Sequence, residues 1–200
     1  ITRVAVDGGP DGYCLGGHRA TNDLAGETLA GEDPRERERI RRRLRRMGRL
    51  RRATLSETTV SRVDCALWDA AGKHYGEPVY RLLGGSASDV FVYGTGGFYT
   101  ETEPLDDAAD ELAGFVDDGY EAVKMKSGAL ALEDEVTRVR RARESVGRGV
   151  DLHLDVNAPF DVEACLDFAR AVADYDPGWL EEPLHWYLQP ADFRRVADAS

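Results

Sequence analysis

From Asp89 onward, apolar strand cores alternate with amphipathic helical stretches. Val90 to Tyr93 precedes a helix over about residues 105–118, Ala122 to Met125 one over 132–146, Val150 to Val156 one over 161–174, and Trp179-Leu180 one over 190–198. Strand centres recur about every 26 to 31 residues, the length of a strand, a helix and two short loops. Four such units predict an α/β fold with a parallel sheet and helices outside it, either doubly wound or part of a (β/α) barrel. The two alternatives part at the first turn. No Gly-x-Gly-x-x-Gly with a helix start behind it follows the first strand, because Gly94-Thr95-Gly96-Gly97 runs on into Phe98-Tyr99. That favours the barrel. In either architecture the functional residues sit at the C-terminal ends of the strands, where the polar residues of these units cluster.

The first part of the chain follows another pattern. Residues 1–15 alternate apolar and polar around Gly8-Gly9-Pro10-Asp11-Gly12, which predicts a strand, a turn and a second strand. Residues 16–31 read as a loop or a weak helix. Asp33-Pro34 opens a helix carrying eleven arginines between Arg35 and Arg52. Alone, that run invites a nucleic-acid reading. Ile40, Leu44 and Met47 nevertheless form a stripe that a helix buries while solvating its arginines, and Glu36 and Glu38 are interleaved. An exposed face or a subunit contact in a homo-oligomer follows better. Thr54 to Tyr75 reads as a second helix, and Leu82-Leu83-Gly84-Gly85-Ser86 closes the region. The expected division is therefore an N-terminal α+β domain over residues 1–88 and the β/α units over residues 89–200.

Charge narrows the partners. A net charge of -11 and a pI near 4.9 argue against nucleic acid or an anionic membrane surface. Arginine in place of lysine, with excess Asp and Glu, resembles the composition of proteins from high-salt cytoplasm. Cys14, Cys65 and Cys165 have neither metal-ligand nor C-x-x-C spacing, which points to a reduced, cytoplasmic setting. No run of about 18 apolar residues predicts a membrane span.

Only Lys73, Lys124 and Lys126 are lysine, and two of the three fall in Ala122-Val123-Lys124-Met125-Lys126. At i and i+2 of a strand they point to one face, with Cα atoms roughly 6.6 Å apart. At an effective dielectric of about 20 their ammonium groups repel by about 2.5 kcal/mol, nearly ~2 pKa units. One lysine is thereby expected to fall toward the range of a general base. Asp155-Val156-Asn157 ends the next strand and Glu181-Glu182-Pro183 the one after. Alone, each is equally a turn, a helix entry or a proline stop. Around one barrel mouth, Lys124, Lys126, Asp155 and Glu181 converge. Two carboxylates from neighbouring strand ends suit a hard divalent cation, most often magnesium. Such an ion stabilises the enolate formed when the neighbouring lysine takes a proton α to a carboxylate.

Lys-Met-Lys, Asp-Val-Asn and Leu-Glu-Glu-Pro on consecutive strands resemble the enolase superfamily, mandelate racemase/muconate lactonizing enzyme type. Residues from Asp64-Cys65-Ala66-Leu67-Trp68-Asp69 to Lys73, then Gly76-Glu77-Pro78-Val79-Tyr80 to Gly85, are similar to that family's junction between capping domain and barrel. The resemblance implies an N-terminal α+β cap, a modified (β/α)7β barrel and Mg2+-assisted proton abstraction. By position, Lys126 resembles the base and Lys124 the group that tunes it. Asp155 and Glu181 resemble metal ligands, with Asn157 and Thr95 facing the substrate. Only the first half of such a barrel fits within this sequence, so a longer native polypeptide is expected, carrying a third metal carboxylate and an opposite-face acid or base. The start is likewise expected to lack the family's first strand and mobile cap loop.

Glu181-Glu182-Pro183 resembles the mandelate racemase and acid-sugar dehydratase branch, so dehydration of a sugar acid is the expected reaction. Racemisation, epimerisation or cycloisomerisation is the alternative. Two readings from other classes are a barrel aldolase with Lys126 as Schiff-base nucleophile and a nonenzymatic binding module built on the arginine-rich helix.

Overall fold

Alternation at the start of the chain produces a short antiparallel pair, β1 (Thr2–Val4) and β2 (Gly12–Cys14), in the register Thr2 to Cys14 and Val4 to Gly12. The computed structural model describes residues 1–50, 55–87, 89–99 and 107–199. Three helices follow the pair: α1 (Arg19–Leu29), α2 (Arg37–Leu50) and α3 (Glu57–Tyr75). Thr54, Arg51 and Arg52, part of the helices expected from sequence, lie outside the described residues. The Ser56 hydroxyl accepts from the Thr59 N–H at 3.2 Å and caps α3, and Gly76 at φ 68° ends it in the left-handed conformation.

Ile40 and Leu44 are buried with Val60, Val63 and Leu67 of α3, and Met47 is half-buried. The arginines on the other side of α2 turn to local carboxylates. Arg39 and Arg43 pair with Glu32, Arg45 with Glu57, and Arg37 with Asp64 while its guanidinium stacks 3.2 Å over the Trp68 ring. A short helix, α4 (Val79–Leu82), completes this first compact unit, Ile1–Asp89.

The second unit, Val90–Ser200, holds a four-stranded parallel sheet. Its strands are β3 (Gly94–Gly96), β4 (Ala122–Lys126), β5 (Asp151–Asp155) and β6 (Leu180–Glu181). The connecting helices are α5 (Asp107–Asp117), α6 (Leu132–Val146), α7 (Val162–Val172) and α8 (Pro190–Ala197). Residues 105 and 106 of the expected first helix lie outside the described residues. Spatial strand order equals sequence order, with no reversal at which a doubly wound sheet would switch. Successive helices contact one another in chain order, as connections running in a constant direction require. These are four consecutive units of the barrel type.

One strand sits later than expected. Val90, Phe91 and Val92 are 80%, 62% and 60% exposed, and pairing begins at Gly94. The reason is clearance: a Cβ on Gly94 would lie 2.4 Å from Phe115 and one on Gly96 2.6 Å from Glu111, so only glycines let α5 approach this strand closely. Side chains in the other strands alternate strictly. Val123, Met125, Leu152 and Leu154 face the helix layer and form the core with Leu112, Val139 and Phe168. Lys124, Lys126, His153 and Asp155 therefore share the opposite face. Among the described residues no helix is long and apolar enough to cross a membrane.

Candidate functional site

Strand register decides which polar side chains meet. Lys124 stands beside His153, Lys126 beside Asp155, and Asp155 beside Glu181, all on the face away from the helices. The lysines do not act mainly on each other. Lys126 Nζ donates to Asp155 Oδ2 at 2.6 Å and to Asn157 Oδ1 at 3.0 Å. Lys124 Nζ donates to both Glu181 oxygens at 3.0 Å and lies 3.3 Å from Asp155 Oδ2.

Lys124 is therefore not the lysine that repulsion within the pair depresses. Burial disfavours the Lys124 ammonium, but hydrogen bonds to Glu181 and Asp155 outweigh it and raise its pKa above the ordinary lysine value. Asp155 shows the complementary effect. Burial opposes its ionisation, yet hydrogen bonds from Lys126, the Asn157 N–H and Lys124 hold its carboxyl below the usual range.

Five of the six residues singled out from sequence thus form one hydrogen-bonded cluster: Lys124, Lys126, Asp155, Asn157 and Glu181. Thr95 pairs with Lys124 in the register of β3 and β4 and is exposed, outside that cluster. The turns supporting the cluster carry backbone strain. Asn157, Ala158 and Glu182 have φ of 53°, 62° and 48°, a region that non-glycine residues seldom occupy. Ala158 N–H donates to the Glu182 carbonyl at 2.7 Å and Asn157 Nδ2 to Glu182 Oε2 at 3.3 Å, so the two strained turns hold each other.

Among the described residues, Asp155 and Glu181 are a pair that could hold a cation. Oxygens of both converge on one ammonium, so positive charge is already accommodated where two hard carboxylates from adjacent strands meet, and that donor set suits a magnesium-like ion. No group of three such ligands forms among the described residues.

An aromatic floor lies beneath these charges. His153 is buried, stacks on Trp179 with ring centroids 3.4 Å apart and planes 4° apart, and meets Tyr93 edge-on at 5.8 Å. Burial lowers its pKa, and its Nδ1 has no hydrogen-bond partner among the described residues. Its position two residues before Asp155 on an alternating strand was the available signal. Arg138 and Glu135 gave none: each is 1% exposed on α6, where charged side chains are ordinarily read as solvated.

Comparison with known proteins bears on both units. Residues 10–84 match the family described as mandelate racemase / muconate lactonizing enzyme, N-terminal domain, and residues 107–200 match enolase C-terminal domain-like. The chain is 38% identical over 125 residues to arabinonate dehydratase of Saccharolobus solfataricus, covering 62% of this chain and 34% of that protein. It is 32% identical over 195 residues to D-galactarolactone cycloisomerase of Agrobacterium fabrum, covering 92% and 50%. Among solved structures, it is similar to a mandelate racemase/muconate lactonizing enzyme from a marine actinobacterium in complex with magnesium, at a TM-score of 0.79 and 28% identity, covering 99% of this chain and 59% of the other. The chain spans half or less of the length of the two curated relatives.

Proposed function

Because the chain belongs to the mandelate racemase/muconate lactonizing enzyme family of the enolase superfamily, we propose that its protein removes the proton α to a substrate carboxylate and, from a sugar acid, expels the β-hydroxyl as water. The observation that carries this reading is the Lys124, Lys126, Asp155 and Glu181 cluster on one sheet face.

Each residue has a role that its surroundings support. Asp155 and Glu181 would hold Mg2+, which when bound supplies positive charge against the substrate carboxylate as the α-proton departs. Lys126 takes that proton at Nζ, which requires its neutral form. Lys124 stands two residues away on the same sheet face. Lys124 also offers its ammonium to the substrate carboxylate. Asn157, already hydrogen-bonded to Lys126, orients it and presents its amide to the substrate, and Thr95 contributes a hydroxyl from the neighbouring strand end.

The Glu181-Glu182-Pro183 run supports the dehydratase branch, and an arabinonate dehydratase among the relatives agrees with it. Isomerisation is the second reading, favoured by a cycloisomerase whose likeness extends over 92% of the chain. A panel of sugar acids incubated with the intact protein and Mg2+ separates them. Keto-acid product that disappears on chelation is expected. Exchange of the α-proton without net product would favour isomerisation, and neither product nor exchange with any acid would overturn the proposal.

A further inference from the structure

Between β3 and the described start of α5 the chain passes Gly97, Phe98 and Tyr99, and both neighbours of Phe98 are held by buried charged groups. Gly97 N–H donates to Glu111 Oε2 at 2.7 Å, and its carbonyl accepts from Arg138 Nη2 at 2.8 Å. Gly97 has φ of 68°, and a Cβ there would lie 2.6 Å from Met125, so only glycine lets the turn lie this close to the core. On the other side, Tyr99 OH donates to Glu135 Oε1 at 2.5 Å, and its ring lies 4.2 Å beneath the Arg138 guanidinium. Burial, with Glu135 next to it, raises the Tyr99 pKa well above the tyrosine range, so the phenol remains a donor.

The same groups grip β4. Arg138 Nη1 donates to the Lys126 carbonyl at 2.9 Å, and Glu135 Oε1 accepts from Ala129 and Leu130 N–H at 3.1 and 2.9 Å. The buried Arg138 and Glu135 thus fix the backbone of Lys126 and of the segment around Phe98 as one piece.

Phe98 itself is 59% exposed, with its ring centroid 5.6 Å from Lys126 Nζ. A phenylalanine that buries little gains nothing for the core from being tethered on both sides. Two fully buried ionisable side chains are a costly way to hold an ordinary surface loop. The arrangement instead presents a rigid apolar wall beside the ammonium, in contact range for a cation–π interaction. We infer that Phe98 is a substrate-contact residue, whose ring packs against the C–H face of a polyhydroxy acid's carbon chain while Lys126 faces the α-carbon. This rests on the reading of Lys126 as the base, and it adds the residue that discriminates among acids.

The test compares Phe98→Ala and Phe98→Leu with wild type in the intact protein with Mg2+, using five- and six-carbon sugar acids. Phe98→Ala is expected to raise KM about tenfold or more and to narrow the preference among acids, with kcat changed less than about threefold, the scale of apolar pocket contacts. Phe98→Leu should recover part of the loss. Unchanged KM and preference in Phe98→Ala would overturn the inference, as would a lowered Tm accompanied by unchanged KM. Lys126→Ala, assayed alongside by α-proton exchange, separates the two levels. If wild type exchanges, Lys126→Ala does not, and Phe98→Ala matches wild type, only the role of Phe98 falls. If wild type exchanges with no acid, the site reading itself falls.

Discussion

At Asp155, a 3% exposed side chain, two lysines and one backbone N–H meet a single carboxylate. Its folded pKa lies below the unfolded one, so its stabilising contribution is complete above the ordinary aspartate value of 3.8 and is lost as pH falls through the lowered folded value. Chemical denaturation midpoints should therefore fall on acidification from about pH 5, and Asp155→Asn should flatten that decline. An equally steep decline in the variant would move the acid lability elsewhere. Lys124 supplies a second residue-scale test, because its ammonium occupies the place between Asp155 and Glu181 that a cation would take. Lys124→Met removes a competitor, so Mg2+ should bind more tightly, by about tenfold for each ~1.4 kcal/mol of competition removed, while α-proton exchange slows. Titration calorimetry showing weaker Mg2+ binding would mean that Lys124 supports the ion and does not compete with it.

Elements place these residues, and their legibility in the sequence differed for physical reasons. Strand alternation was readable at β4 and β5 because Val123, Met125, Leu152 and Leu154 mark one face and leave Lys124, Lys126 and Asp155 on the other. The position of β3 was not, because Val90, Phe91 and Val92 have strong strand propensity, whereas Gly94 and Gly96 pair for a reason found only in the helix that packs on them. The raised pKa of Lys124 was not legible for a similar reason: repulsion within one strand is local and visible, while Glu181, which holds its ammonium, arrives from a strand 57 residues away. Arg138 on α6 is the largest wholly buried side chain among the described residues and the least legible. Arg138→Ala should cost about 3–5 kcal/mol in urea unfolding, since it leaves Glu135 buried with its closest counter-charge removed and frees the Lys126 and Gly97 carbonyls. Replacing Glu135 and Arg138 together by apolar residues should cost less than the sum of the single changes. Strict additivity would show that the pair does not act as a unit.

For the whole molecule the net charge is -11, and within α2 the guanidinium groups of Arg37, Arg39, Arg43 and Arg45 are engaged by Asp64, Glu32 and Glu57. Mg2+ should raise Tm in a concentration-dependent way, by about 2.7 kcal/mol of added stability at 100 times Kd, and Asp155→Asn should abolish that rise. Removal of the α-proton by Lys126 is read by incubating a sugar acid with the protein and Mg2+ in deuterated water. Deuterium should enter the α-position or be found in the dehydrated product with wild type. In Lys126→Ala it should be lost by several orders of magnitude, with substrate still bound. Exchange persisting at the wild-type rate in Lys126→Ala would contradict the assignment of Lys126 as the base.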